Sequence, residues 1–488
     1  EISGTISDST GAIIPGAAVT VINTATTQAR SAVSNPSGNY SVPYLVPGVY
    51  DVRVENAGFK MVERKGVEVQ VGAIARIDFK LEIGELNQKV EVTGGAPMLA
   101  TDSVALGSVI ATRQIVDLPL NGRDYLSLVS LSPNVSTEST SSNSSSYQGG
   151  VRSNVSLSVA GQRLEFNHYT LDGVENTDPN FNSYIIHPSV DFIQEFKAQT
   201  GVYSAEFGKG ASQINVTTKA GTNEYHGALF EFLRNSAVDA AEWNAFGSKN
   251  PFRRNNYGFT LNGPVAIPKL YNGHNRLFFT SNFEQLRDRL TTQANASVAT
   301  DAMRAGDFSS VSNKIYDPLS RVYNSAGVPT SATPFPDNKI PASRFNAIAL
   351  KFFDYYPKAS VAGSSIVRNY YTNTLSTTDS DQFNQRVDFI ESSKSNWFGR
   401  YSWGDDTAAP GSVFDANKTV SVAKVKQAVL SNTRILSPAV VNEARFAWGQ
   451  FHNDLVSTYA NKRNIQSELG VEGLFALTPL GYGVPAIG

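Results

Sequence analysis

The 488-residue chain contains no cysteine, three methionines and five histidines. The missing cysteine excludes disulfide frameworks, thiolate zinc sites and cysteine nucleophiles, and it suits a bacterial envelope protein better than a eukaryotic secreted one. Charge is sparse and balanced: 41 Lys and Arg stand against 43 Asp and Glu, for a net charge of −2 and a pI near 6.3. With no block of one sign there is no basic face for nucleic acid, and no nucleic-acid partner is expected. Apolar runs stop at about four residues, where a membrane helix needs around 20, so helical membrane proteins are excluded and a β-barrel is not. Nor does a basic, apolar leader open the chain, so the expectation is a removed leader or a piece of a longer protein.

Glycine (38), tyrosine (20) and phenylalanine (27) are plentiful. They favour short strands and turns, and the fold class expected is mainly β. Over residues 1–83 the alternation is clear. Tyr50, Val52 and Val54 face one way and Asp51, Arg53 and Glu55 the other; Val67, Val69 and Val71 alternate with Glu68 and Gln70, and Ile77, Phe79, Leu81 and Ile83 with Asp78, Lys80 and Glu82. Turns at Pro15-Gly16, Pro36-Ser37-Gly38 and Pro47-Gly48 complete a sandwich pattern.

Residues 86–220 mix helical and strand signals around Ser136–Ser146, whose Ser, Thr and Asn composition reads as a mobile loop. From 222 onward strands carry one apolar and one polar face: Tyr257, Phe259 and Leu261 against Thr260 and Asn262; Phe383, Val387 and Phe389 against Asn384, Arg386 and Asp388; Trp397, Tyr401 and Trp403 against Asn396, Arg400 and Ser402. Further strands are expected over 223–234, 275–290, 420–436 and 439–453. A lipid-facing outside and a water-filled lumen require this pattern. The total is about seven strands. Between them, 291–379 reads as a long surface loop with a helical segment at 346–357.

Catalytic signatures are missing. Gly208-Lys209-Gly210 is followed by Gln213 where a dinucleotide loop needs glycine, and no phosphate loop, zinc helix or nucleophile elbow occurs. Asp172, Asn176 and Asp178 offer oxygens in LDGVENTD, but their spacing departs from the EF-hand loop and reads as a strand turn. The reading is therefore not an enzyme, with no catalytic residue, no metal site and no cofactor.

The layout GTISDSTGAIIPGAAVTV followed by GNYSVPYLVPGVYDVRVENAGF resembles the carboxypeptidase-regulatory-like domain, a transthyretin-like, carbohydrate-binding-like sandwich. SLSVAGQ, FNHYTLDGVENTD, SVDFIQEFKAQTG and INVTTK resemble the plug of TonB-dependent outer-membrane receptors, with Glu195, Gly208, Gly210, Ile214 and Lys219 at the motif positions. LPLNGRDYLSLVSLSP and the GDFS, IYDP, FPDNKIP and YYP landmarks are similar to the Oar-like branch of that family.

The resemblance implies a mixed α/β plug over 86–220 and the first part of an antiparallel outer-membrane barrel over 222–488, in a Gram-negative outer membrane with the N-terminal domain and plug reached from the periplasm. It implies capture of an extracellular ligand, whether siderophore, oligosaccharide or peptide, and import driven by TonB with ExbB and ExbD from the proton gradient, the wall resting in outer-membrane lipid. Val90, Glu91, Val92, Thr93 and Gly94 occupy the place of a TonB-coupling segment. Phe352, Phe353, Tyr355 and Tyr356 in the long loop are lid or ligand residues, or else pack the loop against the barrel rim. A non-transporting adhesin or vesicle protein and a carbohydrate-binding surface protein are the alternatives.

Overall fold

The computed structural model describes all residues except 85–88, 94–105, 140–154, 164–165, 179–183, 202, 204–209, 211, 242–248, 361–365, 438–439, 472, 474–475, 477 and 485–488. Strands dominate. β1 (Ile2–Asp8), β2 (Ala18–Asn23), β3 (Ala29–Val33), β4 (Asn39–Val42), β5 (Gly48–Glu55), β6 (Met61–Val69), β7 (Ala75–Arg76), β8 (Phe79–Leu81) and β9 (Lys89–Thr93) build two facing sheets. One runs β3-β2-β5-β6-β9; in the other β1 pairs with β4, β7 and β8. Ile2, Ile6, Val19, Val21, Val52, Val54, Phe79 and Leu81 fill the space between them. The period-two reading holds for β5 and for Ile77 to Leu81, but Ile83 is 77% exposed and leaves the pattern.

A second sheet has the order β10-β15-β16-β13-β14, from β10 (Leu106–Ala111), β13 (Asn167–Leu171), β14 (Val174–Glu175), β15 (Ile193–Gly201) and β16 (Ser212–Thr218). Helix α1 (Thr112–Asp117) and a 3-10 stretch over Tyr125–Leu131 pack on it. That stretch starts at Asp124, whose carboxylate accepts the Leu126 N–H at 3.0 Å as an N-cap. The Ser/Thr/Asn run expected as loop from 136 begins instead as strand: β11 (Val135–Ser139) pairs antiparallel with β12 (Val155–Val159). Polar composition does not prevent a hairpin whose ladder is backbone to backbone. The rest of that run falls outside the described residues.

The third unit is one antiparallel seven-stranded sheet, in order β17 (His226–Asn235), β18 (Phe252–Pro264), β21 (Leu277–Ala296), β24 (Tyr370–Ser392), β25 (Ser395–Ala409), β26 (Thr419–Ser437) and β27 (Val440–Ser457). Short hairpins β19 (Ala266–Ile267) with β20 (Tyr271–Asn272) and β22 (Val322–Tyr323) with β23 (Pro329–Ser331) decorate its connections. The loop expected over 291–379 is shorter, because Thr291 to Ala296 pair with Leu375 back to Tyr370. Those ends are rich in polar residues, with Thr291, Thr292, Gln293 and Asn295 on one strand and Thr372, Asn373 and Thr374 on the other. Strand running past a lipid zone needs no apolar side, so the signal that marks membrane strands is missing there.

Burial in this sheet is inverted relative to a soluble protein. Asn282 and Ser402 are fully buried and Arg386 and Arg400 nearly so, while Leu261, Leu430, Phe446 and Trp448 on the opposite face are 43–69% exposed. Apolar side chains outward and polar ones inward suit a sheet whose outer surface meets hydrocarbon. Among the described residues no helix is long and apolar enough to cross a membrane.

Candidate functional site

The second sheet rests on the polar face of the third, and the deepest contact is a hairpin tip. Between β13 and β14, Asp172 (φ 52°) and Gly173 (φ 71°) form a two-residue turn with both central residues left-handed, the geometry that favours Asp-Gly. The turn pushes Asp172 against the sheet. Its carboxylate accepts Arg400 Nε at 2.7 Å, Arg386 Nη1 at 3.3 Å and the Thr218 N–H at 2.9 Å, with side-chain exposures of 2% for Asp172, 0% for Arg400 and 3% for Arg386. Burial pushes the Asp172 carboxyl up, but Arg400, Arg386 and the Thr218 hydrogen bonds together hold it below the usual carboxylate range.

The cluster is widely braced. Arg386 also reaches Asp388 at 2.8 Å, Arg400 reaches Ser402 Oγ at 2.8 Å and Gln427 Oε1 at 2.5 Å, and Gln427 Nε2 donates to the Glu175 carbonyl at 3.2 Å. Arg445 Nη1 donates to the Gly173 carbonyl at 2.9 Å, and a Cβ on Gly173 would lie 1.9 Å from that same nitrogen. Side chains from β24, β25, β26 and β27 thus close on one turn. The sequence marks Asp172 as a turn residue, which it is, and places Arg386 and Arg400 on the polar faces of their strands without pointing to Asp172 as their partner. Two arginines at inward positions of adjacent strands were the available signal, since buried arginine demands a partner.

A second contact involves Arg123, whose guanidinium lies over the Phe230 and Phe232 rings at 4.3 and 4.7 Å, pairs with Asp191 and stands 3.7 Å from Glu284. Beside it, His187 Nε2 and Asp124 Oδ1 are 3.0 Å apart, and the His187 ring stacks on Tyr125 at 4.7 Å.

The expected motif positions fall in three places. Glu195 in β15 is 5% exposed and accepts the Val71 N–H from the first sandwich, while Lys197 Nζ donates to the Gly72 carbonyl at 2.9 Å. Burial raises the Glu195 carboxyl to about 7, Val71 opposing and Glu68 adding to the shift. Gly210 has φ 123°, and a Cβ there would meet the Phe166 carbonyl at 2.7 Å. Ile214 is fully buried in β16, and Lys219, just past it, donates its backbone N–H to Phe192 at 2.8 Å. Burial lowers the Lys219 ammonium, with Asp191 opposing. Gly208 and Gly94 lie outside the described residues.

Val90, Glu91, Val92 and Thr93 belong to β9, which pairs parallel with β6 in the register Val90 to Val62 and Val92 to Arg64. Four residues of the expected TonB-coupling segment therefore lie in the outermost strand of the first sandwich. In the long loop, α2 (Asp301–Arg304) precedes the aromatic residues and α3 (Ala347–Phe352) ends on the first of them. Phe352 packs with Ile465 and Leu469 of α4 (Ile465–Leu469), and Phe353 lies under the Arg304 guanidinium at 4.9 Å. Tyr355 Oη donates to Glu468 Oε2 at 3.2 Å, and Tyr356 meets Phe414 at 5.4 Å. The four aromatics share the loop base and do not converge with Asp172.

Residues 217–488, more than half of the chain, match the outer membrane beta barrel domain, and residues 1–82 match the carboxypeptidase regulatory-like domain. The chain is similar to the TonB-dependent transporter Oar of Myxococcus xanthus, 26% identical over 258 residues that make 50% of this chain and 23% of that protein. It therefore spans under a quarter of that relative's length. Among solved structures it is similar to the outer membrane transporter YddB from Escherichia coli (12% identity, 73% of this chain, 40% of that chain, TM-score 0.46). It is also similar to the siderophore receptor PirA from Acinetobacter baumannii (15% identity, 74% of this chain, 49% of that chain, TM-score 0.34).

Proposed function

The chain belongs to the outer membrane beta barrel domain family, and from that premise we propose that it works as a TonB-dependent outer-membrane receptor that imports an extracellular ligand and carries no enzymatic step. Residues 1–83 with β9 form a periplasmic sandwich, the chain from β10 to residue 220 a plug, and 222–488 part of the barrel wall in outer-membrane lipid. The observation that carries the reading is the Asp172 turn held by Arg386 and Arg400, because it seats the second sheet on the polar inner face of a sheet whose outer face is apolar.

The sheet order gives a path for force. TonB, driven through ExbB and ExbD by the proton gradient, pulls on Val90 to Gly94. The pull peels β9 from β6 and passes to β10. That strand is the edge of the second sheet, bonded only to β15 in the order β10-β15-β16-β13-β14. An edge strand leaves at the cost of one ladder, and polar contacts that exchange for water cost only about 1 kcal/mol each. The Asp172 turn lies at the opposite edge, anchored by buried charge. The plug therefore opens from its β10 side while β13 and β14 stay on the wall.

The test is a cross-link in cells carrying the full-length protein. These 488 residues contain no cysteine, so Val92→Cys, paired with single cysteines along TonB and scanned over residues 86–97, adds the one thiol in this part of the protein. Disulfides that depend on the proton gradient support the reading; no cross-link anywhere in the scan rejects the segment as the coupling site.

A further inference from the structure

Above the Asp172 cluster, toward the long-loop end of the sheet, a cavity of about 100 Å³ lies between the second and third units. Roughly 10–15 Å³ on this measure holds one water, so the space takes a small ion with several waters. Its lining carries buried polar atoms that make no hydrogen bond with any described residue: Asp124 Oδ2, Ser189 Oγ, Asn256 Oδ1, Glu284 Oε2, Gln382 Oε1 and Arg123 Nε. Five of the six are oxygens. The residues that bear the oxygens are 2–8% exposed, and leaving such groups unpaired costs about 1–3 kcal/mol each.

The charges around the cavity do not balance. Arg254 pairs with Asp288 at 2.5 Å, Arg123 pairs with Asp191 and stands 3.7 Å from Glu284 Oε1, and Asp124 faces His187. Three lining carboxylates (Asp124, Glu284, Asp288) thus meet two permanent bases (Arg123, Arg254), so the carboxylates exceed the permanent bases by one. Among the described residues no three acidic or histidine side chains converge as a metal cage, which disfavours a divalent transition ion. Amide, hydroxyl and carboxylate oxygens in surplus over donors suit a hard cation of low charge.

We infer that this cavity is a binding site for a monovalent alkali cation, held by Glu284 and the neutral oxygens of Ser189, Asn256 and Gln382, with Asp124 and waters completing its shell. Ser189 and Asp124 come from the second unit, and Asn256, Glu284 and Gln382 from the third, so the ion bridges the two. The inference stands independently of TonB coupling.

Thallium(I), a strong anomalous scatterer of alkali size, is the probe. Crystals of the full-length protein purified in detergent, with thallium(I) acetate in a concentration series, are expected to show one anomalous peak within about 3 Å of Glu284 Oε2. Potassium or sodium should displace it and N-methylglucamine should not. Glu284→Gln keeps the shape and removes the charge, and should raise the concentration for half-occupancy about tenfold or more. Should that variant not fold, Ser189→Ala removes one neutral oxygen and is expected to raise the half-occupancy concentration by a smaller factor. No peak in the cavity, a peak that N-methylglucamine displaces equally, or unchanged occupancy in the variant that folds would overturn the inference.

Discussion

Asp172 and Arg400 stand 228 positions apart in sequence yet share a 2.7 Å charge-assisted hydrogen bond with both side chains almost wholly buried. Removing one member of such a pair strands the other in a medium that cannot solvate it, at about 3–5 kcal/mol. Asp172→Asn should therefore loosen the β13–β14 edge from the sheet, and amide hydrogen exchange over Leu171–Glu175 checks this. Arg400→Met combined with Asp172→Asn should recover part of the loss, since Arg400 is the arginine that Asp172→Asn strands, whereas Arg386 keeps Asp388.

The Glu195 contact is pH-sensitive in a definite direction. Its carboxyl rises from 4.5 to about 7 on folding, so the folded state holds the proton more tightly than the unfolded one. The stabilising share of that proton is complete below about 4.5 and is lost as pH climbs through about 7. Contact between the first sandwich and β15 should weaken over that window, measured by cross-linking or energy transfer between labels on the two units. Glu195→Gln should remove the dependence while still accepting the Val71 N–H; an unchanged pH profile in that variant would assign the effect elsewhere.

Because β9 completes the first sandwich, a piece ending at Thr93 should be more stable than one ending at Ile83. Val90 and Val92 add a parallel ladder to β6. Thermal melts of 1–83 and 1–93 by circular dichroism should differ by several degrees, as about 1 kcal/mol shifts a domain of this size by about 4–8 °C. Equal midpoints would mean that β9 contributes nothing.

The same pairing predicts a lock. Arg64 and Val92 are register partners on adjacent strands, so Arg64→Cys with Val92→Cys should form a disulfide on oxidation, neighbouring Cα atoms lying within bridging range. Cells carrying the oxidised protein should fail to import ligand and regain uptake on reduction. Full uptake with the bridge intact would show that β9 need not leave β6.

Much of this fold is legible in sequence because period-two alternation is local. Tyr257, Phe259 and Leu261 announce their strand without knowledge of any partner, as do Trp397, Tyr401 and Trp403. Non-local pairing is not legible in that way. Lys89–Thr93 falls outside the sandwich read over 1–83 because nothing in those five residues specifies parallel addition to β6, and Thr291–Ala296 reads as loop because strand beyond the apolar zone needs no apolar face. At the site, Asp172 is visible as a turn residue from its Asp-Gly pair. Its burial is not, since it depends on arginines more than 200 positions away. Glu195 was singled out by motif position; its contact with Val71 comes from the docking of two separately patterned units.

The central claim is import coupled to TonB, and depletion of solutes from the medium tests it most directly. Cells expressing the full-length protein, or lacking it, are grown with and without TonB on a panel of siderophores, oligosaccharides and peptides, and the medium is followed by mass spectrometry. The account predicts at least one solute removed only when both the protein and TonB are present. Depletion of the same extent with and without TonB, or none attributable to the protein, would contradict it.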